Sequence, residues 1–139
     1  MKYLITYYSN TGNTKKVVDR LALKLEELGD VKVKNVLTAT SENIEWADVI
    51  IIGSPIHGYI FFGQKFCSQV ENFIKNVLPK NLDQKQIILF ATYLFYYGKA
   101  LKKVAKSVSN KNANILGEFA EKRNKPDLIV NQILAKLVV

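Results

Sequence analysis

The 139-residue sequence predicts an α/β domain in which a parallel sheet carries helices on both faces. Short apolar runs alternate with stretches of helical period along the chain, the pattern that successive β-α-β units produce. Two of the runs, Val49-Ile50-Ile51-Ile52 and Ile87-Ile88-Leu89-Phe90, contain no polar residue. A strand needs apolar side chains on both of its sides when helices cover both faces of its sheet. A hydrophobic content of 48% in a chain of this length suits one core and one domain spanning residues 1–139.

The first strand is expected over residues 3–8. After it, Val17, Leu21, Leu25 and Leu28 fall at helical spacing with charges between them, and Gly29 is placed to end that helix. Residues 31–36 form the second strand, where Val31 and Val33 alternate with Lys32 and Lys34, as on an edge strand with one wetter face. The two unbroken runs are the third and fourth strands. The third helix is expected over residues 64–78, with Phe66, Val70, Phe73, Ile74 and Val77 on one face and Pro79 closing it. A fourth helix begins near Lys99, and the fifth strand covers residues 114–121. Pro126 opens a last helix through Leu128, Ile129, Ile133, Leu134 and Leu137.

Composition removes several classes of function. One cysteine cannot form an internal disulfide, and no apolar run is long enough to span a bilayer or reads as a signal peptide, so cytoplasm is the default compartment. His57 is the only histidine and has no cluster of cysteines or carboxylates beside it, which argues against a metal site.

The chemistry begins in Ser9-Asn10-Thr11-Gly12-Asn13-Thr14, between the first strand and its helix. Hydroxyls on Ser9, Thr11 and Thr14 and freely directed N–H groups around Gly12 can all donate to phosphate oxygens, and a helix N-terminus adds positive potential. Asn10 and Asn13 tolerate the backbone dihedrals such a turn demands. Neither G-x-x-x-x-G-K-S/T nor G-x-G-x-x-G is present, so a single terminal phosphate fits better than a nucleoside triphosphate or a dinucleotide. The alternative is an ordinary strand-to-helix turn with Thr14 as N-cap.

S-N-T-G-N-T resembles the FMN phosphate loop of flavodoxins, S/T-x-T-G-x-T, at every position of the motif. The resemblance implies a three-layer, flavodoxin-like sandwich: a five-stranded parallel sheet of order 2-1-3-4-5 with helices on both faces, and FMN bound non-covalently across the strand ends. With no long interruption in the fifth strand, the whole chain is similar to the short-chain branch. Ligands of such sheets lie outside the carboxyl ends of the strands where strand order reverses, here between strands one and three. That brings in residues 9–14, residues 54–63 after strand three and residues 92–98 after strand four. The cofactor-binding residues so implied are Ser9 through Thr14 by motif, Ser54, Pro55, Ile56, His57, Gly58 and Tyr59 in the second loop, and Thr92, Tyr93, Tyr96 and Gly98 in the third.

The second loop combines Gly53, Gly58 and Gly63 with Tyr59, Phe61 and Phe62, a composition suited to a flat apolar ligand. By family precedent Gly58 lets a peptide rotate so that its carbonyl accepts a hydrogen bond from reduced flavin N5. Phe61 and Phe62 have the alternative of packing beneath the loop. In the third loop, Tyr93 or Tyr96 is the candidate to cover the other flavin face, where a stacked tyrosine shifts potential as well as affinity. Trp46 sits at the opposite end of the sheet and reads as packing, and Cys67 falls on the apolar stripe of the third helix as a buried thiol.

The chain departs from the family in charge. Its net charge is +8, and the second and third loops contain no Asp or Glu, while Lys65 and Lys99 stand beside them. Without nearby carboxylates the electrostatic penalty on a fully reduced, anionic flavin relaxes. Lys99, Lys102, Lys103 and Lys106 recur at i, i+3, i+4 and i+7, a basic stripe that suits an acidic redox protein or reductase, or else a solvated helix face. The leading function is therefore a low-potential electron carrier, read ahead of a stand-alone enzyme. The alternative is an FMN-dependent oxidoreductase of the same fold, a quinone reductase or a protoporphyrinogen-oxidase-like protein, whose loops Ser54-Pro55-Ile56-His57-Gly58 also resembles. A phosphate-accepting receiver domain needs acids where Ser9 and Ser54 stand. Nucleic-acid binding is disfavoured because the aromatics gather at one sheet end instead of interleaving with the lysines.

Overall fold

A computed structural model of the chain describes residues 1–57, 63–94, 97–123 and 125–137. Its strands are β1 (Lys2–Tyr7), β2 (Asp30–Asn35), β3 (Val49–His57), β4 (Lys65–Phe66), β5 (Gln86–Tyr93) and β6 (Asn114–Lys122). Its helices are α1 (Asn13–Leu25), α2 (Ser41–Trp46), α3 (Ser68–Asn76), α4 (Ala100–Ser109) and α5 (Pro126–Leu137). The five long strands run parallel in the order β2-β1-β3-β5-β6, which is the predicted order, and β4 is an added antiparallel partner of β3.

Side-chain alternation divides the core into two layers. Leu4, Ile50, Ile52, Ile87 and Leu89 face α2, α3 and α4, where Ile44, Val70, Phe73, Val104 and Val108 meet them. Their neighbours Tyr3, Ile5, Val49, Ile51, Ile88 and Phe90 point the other way, onto Val17, Leu21 and Leu25 of α1 and Ile129 and Ile133 of α5. This is why both central strands are apolar on every side: each has helices above and below. β2 is an edge strand as expected, but the alternation read from its sequence does not hold: Val31 is half-buried, whereas Val33, expected on the drier face, is left 40% exposed and Lys34 is half-buried.

Several boundaries move. The first helix ends at Leu25, whose carbonyl accepts the Gly29 N–H at 3.1 Å, so Leu28 lies beyond it and is exposed. Phe66 belongs to β4 and not to a helix face; the chain first pairs Ile56 with Phe66 and His57 with Lys65, and α3 starts only at Ser68. Helix α2 was not foreseen from the sequence. Its signal is the reciprocal cap in which the Asn43 N–H donates to Thr40 Oγ1 and the Thr40 N–H donates to Asn43 Oδ1. Trp46 closes α2, half-buried against the core, with Lys32 Nζ 4.3 Å from its ring centroid.

The central strands also run further than their apolar segments. β3 continues through Gly53, Ser54 and Pro55 because β5 keeps pairing with it, Ser54 opposite Ala91 and Pro55 opposite Thr92. Pro55 lacks an N–H but loses no ladder bond. Gly53 turns its carbonyl toward β1, accepting the Tyr8 N–H at 3.3 Å, so two residues on Pro55 faces the same side, where the β1 pairing has already ended. Gly53 sits in the strand beneath the Phe90 ring, which would stand 2.2 Å from a Cβ, so close packing and not a ligand requires this glycine.

Candidate functional site

All five parallel strands end on one side of the sheet, which brings Ser9–Thr14, the end of β3, the end of β5 and the end of β6 together. The Ser9–Thr14 turn is folded around its own hydroxyls. Ser9 Oγ accepts the N–H of Gly12 at 3.1 Å and of Lys15 at 3.3 Å, and Asn13 Nδ2 donates to Thr11 Oγ1 at 2.8 Å. Gly12 adopts φ 88°, and open space surrounds the place of its missing Cβ. The left-handed backbone alone calls for glycine there.

That turn leaves donors for a ligand. Among the described residues nothing accepts from the backbone N–H of Asn10, Thr11, Asn13 or Thr14. Gly12 itself is the N-cap and brings no side-chain oxygen to satisfy the helix, and the first turn of α1 carries no acid. Positive potential at this helix end is thus uncompensated. Lys15 turns aside to Asp19 at 2.8 Å, and that hydrogen bond and charge raise its pKa above the ordinary lysine value. Thr14 is no N-cap. Its side chain is buried and its Oγ1 lies 2.9 Å from Thr92 Oγ1 on β5, tying the first loop to the third.

The other expected residues separate into three groups. Ser54, Pro55 and Ile56 are buried within β3 instead of lying in a loop, and Ser54 Oγ accepts the Cys67 N–H at 3.0 Å, holding the entry to α3. Cys67 itself is buried, and half-buried His57 ends the strand. Thr92 and Tyr93 likewise finish β5; Tyr93 is half-buried, with its ring centroid 5.0 Å from that of Tyr97, and Gly98 follows at φ 56°. Gly58, Tyr59, Phe61, Phe62 and Tyr96 lie outside the described residues, so the expected rotating peptide and part of the ring cover do too.

The sequence reading missed what β6 contributes. Glu121 stands beside Thr92 in the β5–β6 register, and the Arg123 N–H donates to the Tyr93 carbonyl at 3.0 Å. Burial foremost, then the negative charge of Glu121 and the neighbouring Tyr97, raise the Tyr93 pKa. The loops are indeed free of acids, but a carboxylate reaches the site end from the adjacent strand. Strand order carried that signal, since the fifth strand ends next to the fourth. On the far side of the third loop, Tyr97, Gly98, Leu101, Lys102 and Glu118 line a shallow cleft of about 370 Å³.

Lys99, Lys102, Lys103 and Lys106 are all exposed, and none has an ion-pair partner among the described residues. Lys103 also borders a cleft of about 590 Å³ between α3 and α4, together with Lys75, Lys111 and Glu71. Among the described residues no group of three or more His, Cys, Asp or Glu could hold a metal, and no helix is long and apolar enough to cross a membrane.

The family model described as "Flavodoxin domain" matches residues 4–131. The chain is similar to a flavodoxin of Aquifex aeolicus, 41% identical over 56 residues that make up 39% of this chain and 30% of that protein. It is similar over far more of its length to a flavodoxin of Clostridium beijerinckii, at 27% identity over 88% of this chain and 87% of the relative. Among solved structures, the two-electron reduced flavodoxin of Megasphaera elsdenii superposes with a TM-score of 0.79 at 25% identity, covering 91% of this chain and 89% of that one.

Proposed function

The chain belongs to the flavodoxin family, whose proteins bind FMN as cofactor, and from that premise we propose that it shuttles low-potential electrons between redox partners, with FMN held non-covalently. The observation that carries this reading is the Ser9–Thr14 turn, with its unaccepted N–H groups and left-handed glycine at the N-terminus of α1. Those residues fit a phosphate: N–H groups without an acceptor among the described residues lie at a helix end whose first turn carries no acid. Ser9, Asn10, Thr11, Gly12, Asn13 and Thr14 would hold that end of the cofactor. The ends of β3 and β5, with Tyr93 and the residues that follow, would flank the ring.

Bound there, FMN would supply low-potential one-electron chemistry. The chain's own residues bind the phosphate, shield the ring from water and present the site to a partner. The exposed lysines of α4 begin beside that end of the sheet, and their unpaired charge suits an acidic redox protein or reductase.

Stepwise reduction of the purified protein loaded with FMN, followed by its absorption spectrum, tests this reading. Two resolved one-electron steps are expected. Rapid NAD(P)H oxidation with a quinone, in the absence of any protein partner, would instead favour a stand-alone FMN oxidoreductase.

A further inference from the structure

Thr14 and Thr92 are 78 positions apart in sequence, yet their hydroxyl oxygens lie 2.9 Å from each other and both residues are 1% exposed. One belongs to the first turn of the helix that ends the phosphate loop; the other stands two positions from the aromatic loop, on β5. Two hydroxyls carry two protons, and their mutual hydrogen bond uses one. No acceptor among the described residues takes the second, and a buried O–H without an acceptor is costly. An anion at the helix end would accept it.

We infer that Thr92 is a positioning residue for the phosphate end of the cofactor. It acts through Thr14, fixing the first turn of α1 against the end of β5 and leaving one hydroxyl proton for an acceptor at the helix N-terminus. The interior bond makes the two ends of the ligand site one preorganised unit, so less order remains to be imposed on binding. This inference rests on the FMN reading and concerns the phosphate alone.

The test compares two ligands that differ only in that phosphate, FMN and riboflavin, by fluorescence titration of apoprotein. Thr92→Val keeps the shape and removes the hydroxyl. It should weaken FMN binding about tenfold, the loss expected for one hydrogen-bonding group near an anion, while riboflavin affinity stays within about twofold. Thr92→Ser restores the hydroxyl and should restore the FMN-to-riboflavin ratio. If Thr92→Val does not fold, Thr92→Ala serves in the same comparison. An unchanged or raised ratio in the variant lacking the hydroxyl, equal losses for both ligands, or no rescue by serine would overturn the inference. Wild-type protein that binds riboflavin and FMN equally would also overturn it, and binding of neither would remove the FMN reading as well.

Discussion

At the scale of single residues, Gly12 and Tyr93 mark the two ends of the proposed site. Gly12 turns the backbone at φ 88° beside N–H groups of Asn10, Thr11, Asn13 and Thr14 that nothing among the described residues accepts, and an L side chain in that conformation costs about 1–2 kcal/mol. Tyr93 is where local environment becomes measurable. Burial and the nearby Glu121 both oppose a phenolate, so its folded pKa stands above the ordinary value of 10.0. With the folded pKa raised, the folded state holds its proton longer than the unfolded chain does. The resulting stability is fully present below the unfolded pKa and is lost as pH rises through the folded one. Unfolding stability measured by denaturant across alkaline pH should therefore fall more gently in Tyr93→Phe than in the native protein. Tyrosinate absorbance should show that the variant has lost its latest-titrating phenol.

Elements explain both what the sequence made legible and what it hid. The sheet order and the helices at α1, α4 and α5 were readable because apolar period and strand-to-helix turn chemistry agree there, and Ser9–Thr14 was readable because its donors are consecutive in the chain. The ends of β3 and β5 were not. Apolar runs stop at Ile52 and Phe90, but hydrogen bonding to the neighbouring strand carries Ser54, Pro55, Thr92 and Tyr93 on in extended form. Residues assigned to loops thus became buried strand. α2 was hidden because six residues are too few for a helical period to register. Glu121 was hidden because only the spatial neighbourhood of β5 and β6 brings it to Tyr93. Lys99 at the N-cap of α4 and the exposed Lys102, Lys103 and Lys106 within it keep the helical spacing, with Leu101, Val104, Ala105 and Val108 buried on the opposite face. Replacing Lys102 and Lys103 by Glu should leave the fold intact and slow electron transfer from an acidic partner. Stopped-flow rates should differ most from the native protein at low salt and converge as salt screens the contact.

Across the whole molecule, a net charge of +8 surrounds the proposed site. Glu121 and Glu118 temper that field locally, yet Lys99, Lys102 and Arg123 lie in the same region. The balance still favours added negative charge on a bound ring. Potentiometry should give a second reduction couple less negative than that of an acidic flavodoxin, and raising the salt concentration should shift it downward. All of this depends on the helix end at Ser9–Thr14 grasping an anionic tail. Titrating riboflavin 5′-monophosphate with apoprotein while following flavin fluorescence tests that grip most directly. Quenching to a stoichiometric end point, relieved when Thr11 and Gly12 are both changed to bulky apolar residues, is expected; fluorescence that persists undiminished at excess apoprotein would contradict it.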